Sequence, residues 1–310
     1  MNADKVHAIV VNWNGGEANL ECLASLEAAG VAPDRWVWID NASSDGLAAR
    51  IAERWPAARV IENSTNLGYG DGCNQGIERA LADGAEGVFL VNNDVTVPTD
   101  LVRGLCARLE SRPELGVVGP RVLYAADPER VWAAGGMLTW RQNLSTLRGH
   151  RKADGPEYQR DVDVDYVAGC AMLIRREVFG RTGLLDGTYF AYHEDLDFCL
   201  QVRKAGYLVE CAGSLACLHD AHHSTGGGYN PRRKYMMGVN TVWFLRRHGG
   251  WAQWLKFGLF DVLPLPVLAL AGVPNGRWRG ALAKAWGTWR GLRGRRVRAA
   301  DLEPGASWLW

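Results

Sequence analysis

"VHAIVVNWNGG", residues 6–16, is the stretch on which the fold turns. Apart from His7, residues 6–11 are apolar, short and rich in β-branched side chains, so they read as a strand buried on both faces. The strand stops at Asn12, Trp13 and Asn14, followed by the turn-forming Gly15 and Gly16. The same alternation continues to about residue 93. Helical spacing covers 20–29, a second strand 36–39, a helix 47–55 and a third strand 59–62. Residues 73–81 place Cys73, Ile77, Ala80 and Leu81 on one helical face, and 88–91 form a fourth apolar strand. Stacked β-α units of this kind predict a mostly parallel sheet with helices on both faces, in which ligands sit at the carboxyl ends of the strands.

A chain of 310 residues with 47% hydrophobic and 22% charged side chains is long enough for a full core. Lys and Arg number 35 against 34 Asp and Glu, so bulk charge offers nothing to a nucleic acid. The seven cysteines are scattered, odd in number and without a C-x-x-C pair. That usage implies free thiols in a reducing compartment, the cytoplasm, rather than a disulfide framework or a zinc site. The N-terminus has neither the basic start nor the apolar stretch of an export signal, and no export is expected.

Residues 121–165 are less regular, and "TWRQNLSTLRGHRKADGPEYQRD" (139–161) reads as a long surface excursion. From Trp251 the character changes. "VLPLPVLALAGV" (262–273) is apolar, yet it holds two prolines and is shorter than the roughly 20 residues of a spanning helix. It is expected to lie on a membrane or pack on the domain. Residues 277–298 contain no acid, and their basic side chains interleave with Trp278, Trp286 and Trp289, a composition suited to an anionic surface. A solvated helix capping the domain is the alternative.

The strand ends carry the chemistry. After the first strand there is no G-x-G-x-x-G, which argues against a nicotinamide or flavin enzyme; "NLGYGDG" (66–72) follows the third strand and reads as a tight turn. "WIDNASSDG" (38–46) ends the second strand with Asp40, able to accept the N3–H of uracil or thymine, while Asn41, Ser43, Ser44 and Asp45 also suit an ordinary turn and helix cap. "FLVNNDV" (89–95) sets Asn92, Asn93 and Asp94 at the mouth of the sheet, where a cation bound to a diphosphate would sit. "CLHDAHHST" (217–225) has no zinc-finger spacing; a single histidine joining Asp94 on Mg2+ or Mn2+ fits as well, with His222 and His223 as surface groups. "HEDLDFCLQVRKAGY" (193–207) gathers Glu194, Asp195 and Asp197 in the first turn of an amphipathic helix.

Six strings in this order, "VNWNG", "DNASSDG", "NLGYGDGCNQGI", "VFLVNNDV", "VAGCAMLIRREVFGRTGLLDGTYFAYHEDLDFCLQVRKAGY" and "LHDAHHSTGG", resemble family 2 of the inverting glycosyltransferases, notably its rhamnosyltransferase-like branch. The resemblance implies a GT-A fold over residues 1–250, with the nucleotide-binding part about 1–120, the acceptor side about 121–250 and a C-terminal extension 251–310. It implies a UDP- or dTDP-sugar donor, a divalent metal, and a glycan or lipid-linked acceptor met at the inner face of the plasma membrane. Asp40 then resembles the acid that reads the base, and Asn12, Trp13 and Asn14 the loop along the nucleotide. Asn66, Gly68 and Asn74 complete that pocket, to which Asn41 and Asn93 also belong. Asp94 matches the last acid of a D-x-D metal motif reduced here to Asn-Asn-Asp, and His219 the second ligand. Asp195 matches the catalytic base. Glu194 and Asp197 are expected to bind the acceptor or pair with Arg203 or Arg175. The family's R-N pair is Val239–Asn240 here, which alters what is expected near Arg232, Arg233 and Lys234.

Inverting transfer is an in-line displacement, with a base on one face of the anomeric carbon and a stabilised diphosphate on the other. The positive end of a helix dipole favours an ionised Asp195 by roughly 0.3–1 kcal/mol. A nucleotidyltransferase would need a cation-bearing loop after the first strand, which "NWNGGEAN" lacks. An inactive sugar-nucleotide scaffold would not need Asp195 and His219, and a glycosidase would not need Asp40 and Asp94.

Overall fold

The computed structural model describes residues 1–220 and 230–310; His222 and His223 lie outside the described residues. The first part alternates as expected: β1 (Val6–Asn12), α1 (Ala18–Ala28), β2 (Trp36–Asp40), α2 (Leu47–Arg54), β3 (Arg59–Glu62), α3 (Tyr69–Ala82) and β4 (Gly87–Val91). Helix α3 begins four residues ahead of the apolar periodicity, directly after Gly68, so only the first residues of "NLGYGDG" form a turn. Then follow β5 (Val95–Thr96), α4 (Leu101–Ser111), β6 (Leu115–Tyr124), β7 (Asp127–Ala133), β8 (Gly136–Leu138), β9 (Ser145–Leu147), β10 (Val162–Asp163), β11 (Ala171–Arg175), α5 (Arg176–Thr182), α6 (Glu194–Lys204) and β12 (Leu208–His219). The chain ends in α7 (Pro231–His248), α8 (Trp251–Phe257), α9 (Leu265–Ala271) and α10 (Trp278–Leu292).

One 10-stranded sheet runs β10-β12-β6-β11-β4-β1-β2-β3, with β5 on β12 and β7 on β6. Strands β4, β1, β2 and β3 are parallel, and β11 is antiparallel to both β4 and β6. Alternate residues feed opposite faces: Ala8 and Val10 pack with Leu23 and Leu26 of α1, while Ile9 packs with Ile77 of α3. Trp36, Trp38 and Phe89 are fully buried. Side chains of this size contribute roughly 1.5–3 kcal/mol each when removed from water.

Inside β6, Pro120 has no N–H to give, and opposite it β12 shifts register between Ala212 and Ala216. Beyond that bulge β12 brings His219 beside Val95 on β5. The adjacent Asp220 N–H donates to the Asp94 carbonyl at 2.9 Å.

Two expectations need correction. The 121–165 region is built into the domain: β8 and β9 pair, Arg130 bridges to Ala153, and Leu144 and Tyr158 are buried in the core. Residues 251–271 form a single helical run of 21 residues, long and apolar enough by composition to cross a membrane, because Pro264 and Pro266 fall at the start of α9 where no N–H is needed. Little of it is covered: Leu263 is 68% and Leu270 75% exposed. Its Asp261 nevertheless points inward, ion-paired with the buried Lys284 of α10 and accepting the Asn143 N–H at 3.1 Å. Helix α10 lies along α7 through small residues: a Cβ on Gly238 would meet the backbone of Lys284 and Thr288, and one on Gly287 the backbone of Tyr235.

Candidate active site

At the carboxyl ends of β1, β2 and β4 the polar side chains bond to one another. Asn12, fully buried, donates to Asp40 at 3.1 Å, Ser43 at 3.0 Å and Asp45 at 3.3 Å. Its carbonyl oxygen accepts from Gly15 N–H, Asn19 and Asn93 at 2.9–3.1 Å. Asp40 also accepts the Ser43 N–H at 3.1 Å and keeps lone pairs unused. Asn14, at φ 52°, is held against the Ser43–Ser44 turn by its own N–H and side-chain oxygen, and Trp13 stands half-exposed beside it. The strand ends thus bring Asn12, Asn14, Asp40 and Asn93 together in one basin.

Asn41, Asn66 and Gly68 close one side. Asn41 donates to the Gly68 carbonyl at 2.9 Å, and Asn66 accepts the Gly68 N–H at 2.8 Å. Gly68 sits at φ +87°, and a Cβ there would strike the Phe190 carbonyl, so the position needs glycine on both counts. Asn74 is employed differently: both ends of its amide bond the backbone of Leu185, at 2.9 and 3.0 Å, which fastens α3 to the loop before α6.

Asp94 and His219 meet as expected, with Nε2 of the histidine 3.2 Å from Oδ1 of the carboxylate. Both carboxylate oxygens of Asp94 are buried and, apart from this histidine contact, neither has a partner; Nδ1 of His219 is also unpartnered. A buried carboxylate left this way is costly. A divalent cation would satisfy it, and oxygen from Asp94 with nitrogen from His219 is a donor set that suits Mg2+ or Mn2+. Among the described residues no group of three or more His, Cys, Asp or Glu side chains able to hold a metal is present. Trp132, edge-on at 4.6 Å, fixes the imidazole.

Asp195 is reached from this basin through one short segment. Asn92 N–H donates to the Cys170 carbonyl at 2.9 Å, and the neighbouring Gly169 N–H donates to Asp195 at 3.0 Å. Burial pushes the Asp195 carboxyl above its ordinary range, and the N–H groups of Gly169 and Leu196 pull it only partly back. Desolvation therefore outweighs the helix end, which makes Asp195 a stronger proton acceptor than a solvated aspartate. The preceding turn is strained, with Tyr192 and His193 at φ 73° and 76°. Asn240 of α7 clamps it, donating to the carbonyls of Ala191 and Tyr192 at 2.8 Å each. His193 stays neutral, its pKa lowered to about 4 by burial and by the nearby Lys284.

Glu194 and Asp197 are both buried, and Asp197, expected at the acceptor, is taken up by structural partners instead. Asp197 is fully buried and ties α6 to its neighbours: His248 Nε2 at 2.5 Å, Gln201 at 2.8 Å and the Tyr189 hydroxyl at 3.3 Å. Burial pushes the Glu194 carboxyl well above the ordinary range, with the charge of Asp195 adding to the effect. The expected arginine partners are also engaged elsewhere, Arg203 with Asp165 and Arg175 with the carbonyls of Leu109 and Leu115. Three contributors went unread in the sequence. Tyr69 donates to the Gly169 carbonyl at 2.8 Å, Asn19 braces Asn12, and Asn240 holds the turn before the base. Only Asn240 carried a signal, as the retained half of a pair.

The family model described as "Glycosyl transferase family 2" matches residues 8–183. An N-acetylglucosaminyl-diphospho-decaprenol L-rhamnosyltransferase of Mycobacterium tuberculosis is 28% identical over 273 residues, 80% of this chain and 86% of the relative. The low-salt glycan biosynthesis hexosyltransferase Agl10 of Haloferax volcanii is 27% identical over 70% of this chain and 67% of its own length. Among solved structures, the mannosyltransferase PcManGT of Pyrobaculum calidifontis, in complex with GDP-Man and Mn2+, superposes with TM-score 0.57 at 15% identity, covering 94% of this chain and 88% of that one. GalNAc-T7 with UDP, GalNAc and Mn2+ gives 0.56 at 14% identity, over 81% and 53%. These likenesses establish the GT-A fold.

Proposed function

We infer, from the premise that the chain belongs to glycosyl transferase family 2, that it is an inverting hexosyltransferase moving a sugar, rhamnose or another hexose, from a UDP or dTDP donor to a hydroxyl of a lipid-linked glycan. The premise makes it a sugar-transferring enzyme; the donor, the stereochemistry and the metal are our reading. The observation that carries it is the buried Asp94 carboxylate, met only by His219 and joined through the Gly169–Cys170 segment to the half-buried Asp195.

In this reading Asp40 accepts the N3–H of the pyrimidine, and Asn12 and Asn93 hold it in place. Asp94 and His219 hold Mg2+ or Mn2+, which when bound neutralises charge on the departing diphosphate. Asp195 takes the proton of the acceptor hydroxyl as that oxygen attacks the anomeric carbon from the face opposite the nucleotide. Asn240 and Gly169 keep the base aimed. We assign residues 1–250 to the catalytic domain and 251–310 to an extension that seats it on the cytoplasmic face of the plasma membrane. The exposed apolar side of 251–271 and the basic α10 support that placement. Because Asp261 is anchored to Lys284 and Asn143, the run lies in the interface rather than across it.

Titration of activity against Mn2+ in the wild type, Asp94→Ala and His219→Ala tests the reading. Each variant should need at least about tenfold more metal, on the scale of a lost metal contact. Full wild-type turnover in EDTA overturns the metal assignment.

A further inference from the structure

The C-terminal tail folds back on α10 and leaves against it an open pocket of about 870 Å3 that the reaction above does not use. Trp286 and Trp289 line it, stacked on each other with centroids 4.8 Å apart, together with Tyr235 of α7 and Trp310 of the tail. Arg290 and Asp301, paired at 3.2 Å, also line it. The volume lies within the roughly 300–1,000 Å3 of small-molecule sites.

Its polar groups are unfinished. Tyr235 is 1% exposed, yet its hydroxyl has no hydrogen-bond partner; the buried indole N–H of Trp310 and Nε of Arg290 have none either. Native interiors rarely leave such groups unmatched, because each is expensive to desolvate. Meanwhile Trp286 and Trp289 stay nearly half-exposed, an aromatic surface without a cover.

A pyranose ring has an apolar C–H face and a rim of hydroxyls that both donate and accept. Indole faces match the former. The Tyr235 hydroxyl, the Trp310 and Arg290 N–H groups and the Asp301 carboxylate match the latter. A prenyl or acyl chain would cover the indoles but leave the polar groups unsatisfied, and a phosphate would face Asp301. The cavity also adjoins the acceptor side: Tyr235 shares an apolar cluster with Phe190, which lies in the loop running into the clamped turn before Asp195.

We propose that this cavity is a second carbohydrate site, binding one or two sugar residues of the acceptor glycan away from the reacting hydroxyl. Its role as an acceptor subsite rests on the transferase reading; sugar binding by itself does not. The full chain is titrated with N,N′-diacetylchitobiose, a rhamnose disaccharide and maltose, followed by tryptophan fluorescence and calorimetry, with farnesol as an apolar probe. Saturable binding of at least one disaccharide is expected, uncompeted by UDP or dTDP and unchanged in Asp195→Asn. Tyr235→Phe, which removes one hydroxyl and keeps the ring, should weaken it about five- to tenfold, and Trp289→Ala should weaken it further. Three results overturn the proposal: no saturable disaccharide binding, an unaltered affinity in Tyr235→Phe, or saturation by farnesol alone. Failure of the transferase reading shows separately, as an Asp195→Asn enzyme with full turnover.

Discussion

In residues 1–120, polar side chains at the strand ends answer one another; in residues 251–310, large apolar side chains face outward and buried polar atoms in the tail stay unmatched. Asn12 alone bonds Asp40, Ser43, Asn19 and Asn93. At the other end Trp251, Leu263, Val267, Leu270 and Trp308 are exposed. The contrast teaches what each part is built to meet. A small polar ligand is read by a few atoms that must not move, so the fold fixes them with its own hydrogen bonds. A lipid surface, which the proposed placement assigns to residues 251–310, would be met by area, and area needs no fixed geometry. Asp94 is the exception inside the ordered half, its buried carboxylate met only by His219, and on the proposed reading a cation would complete it.

The largest expected effect is at the base. Asp195→Asn keeps the shape and the Gly169 contact but cannot take a proton, so turnover should fall about a hundredfold or more while donor affinity by calorimetry stays near wild type. A variant that loses the donor instead would erase the division between holding the nucleotide and doing the chemistry. In the wild type, the acid limb of the rate profile should lie above the ordinary aspartate value of about 3.9, because the base form is lost as pH falls through a raised pKa.

Next comes Asp40→Ala. Losing one charge-assisted hydrogen bond should weaken UDP or dTDP binding by about 1.5–3 kcal/mol without unfolding the protein. An unchanged affinity would mean that the Asn12 network is only a turn. A smaller effect is expected at the other region. Leu263→Asp with Leu270→Asp should reduce binding to anionic liposomes several-fold, and added salt should reduce it in the wild type, since basic groups near such a surface contribute on the order of 1 kcal/mol each within a Debye length. If the intact chain ignores liposomes at low salt, the exposed face meets something other than lipid.

The smallest effect concerns Glu194, whose folded pKa is raised. Its neutral form is the favoured one in the fold, so its contribution is complete below the unfolded pKa and is lost as pH rises through the folded value. Glu194→Gln should therefore gain thermal stability over wild type as pH increases from 5 to 8, by about 2–4 °C for each kcal/mol relieved. A gap that narrows with pH would show the acid to be ionised.

Much of this was legible before any coordinates. The β-α alternation from Val6 to Val91 is written in local periodicity, and each strand from β1 to β4 falls within one residue of its expected end. Local patterns also picked out Asp40 and Asp94, because polar residues ending apolar runs stand out, whereas only the family resemblance singled out Asp195 from the acids beside it. What escaped depends on contacts distant in sequence. Residues 139–161 look like a loop because β8 and β9 are only three residues each and Leu144 is buried by partners elsewhere in the chain. Tyr69 and Gly169 meet across 100 residues, and no spacing rule couples them. Asp197 looked like a site residue because its neighbours are acids; its buried partner His248 lies two elements further on.

The position of β12 also sets an order of events. Asn12 and Asp40 are separated by 28 residues and Asn12 and Asn93 by 81, so the nucleotide basin has all its members once the first four strands have left the ribosome. His219 stands at the end of the last strand, beyond the bulge opposite Pro120, and faces Asp94 only after β12 has docked beside β6 and β5. Long-range pairings of this kind are slow to close. On the proposed reading, the side chains that would meet the base are all synthesised before the final strand brings His219 to Asp94.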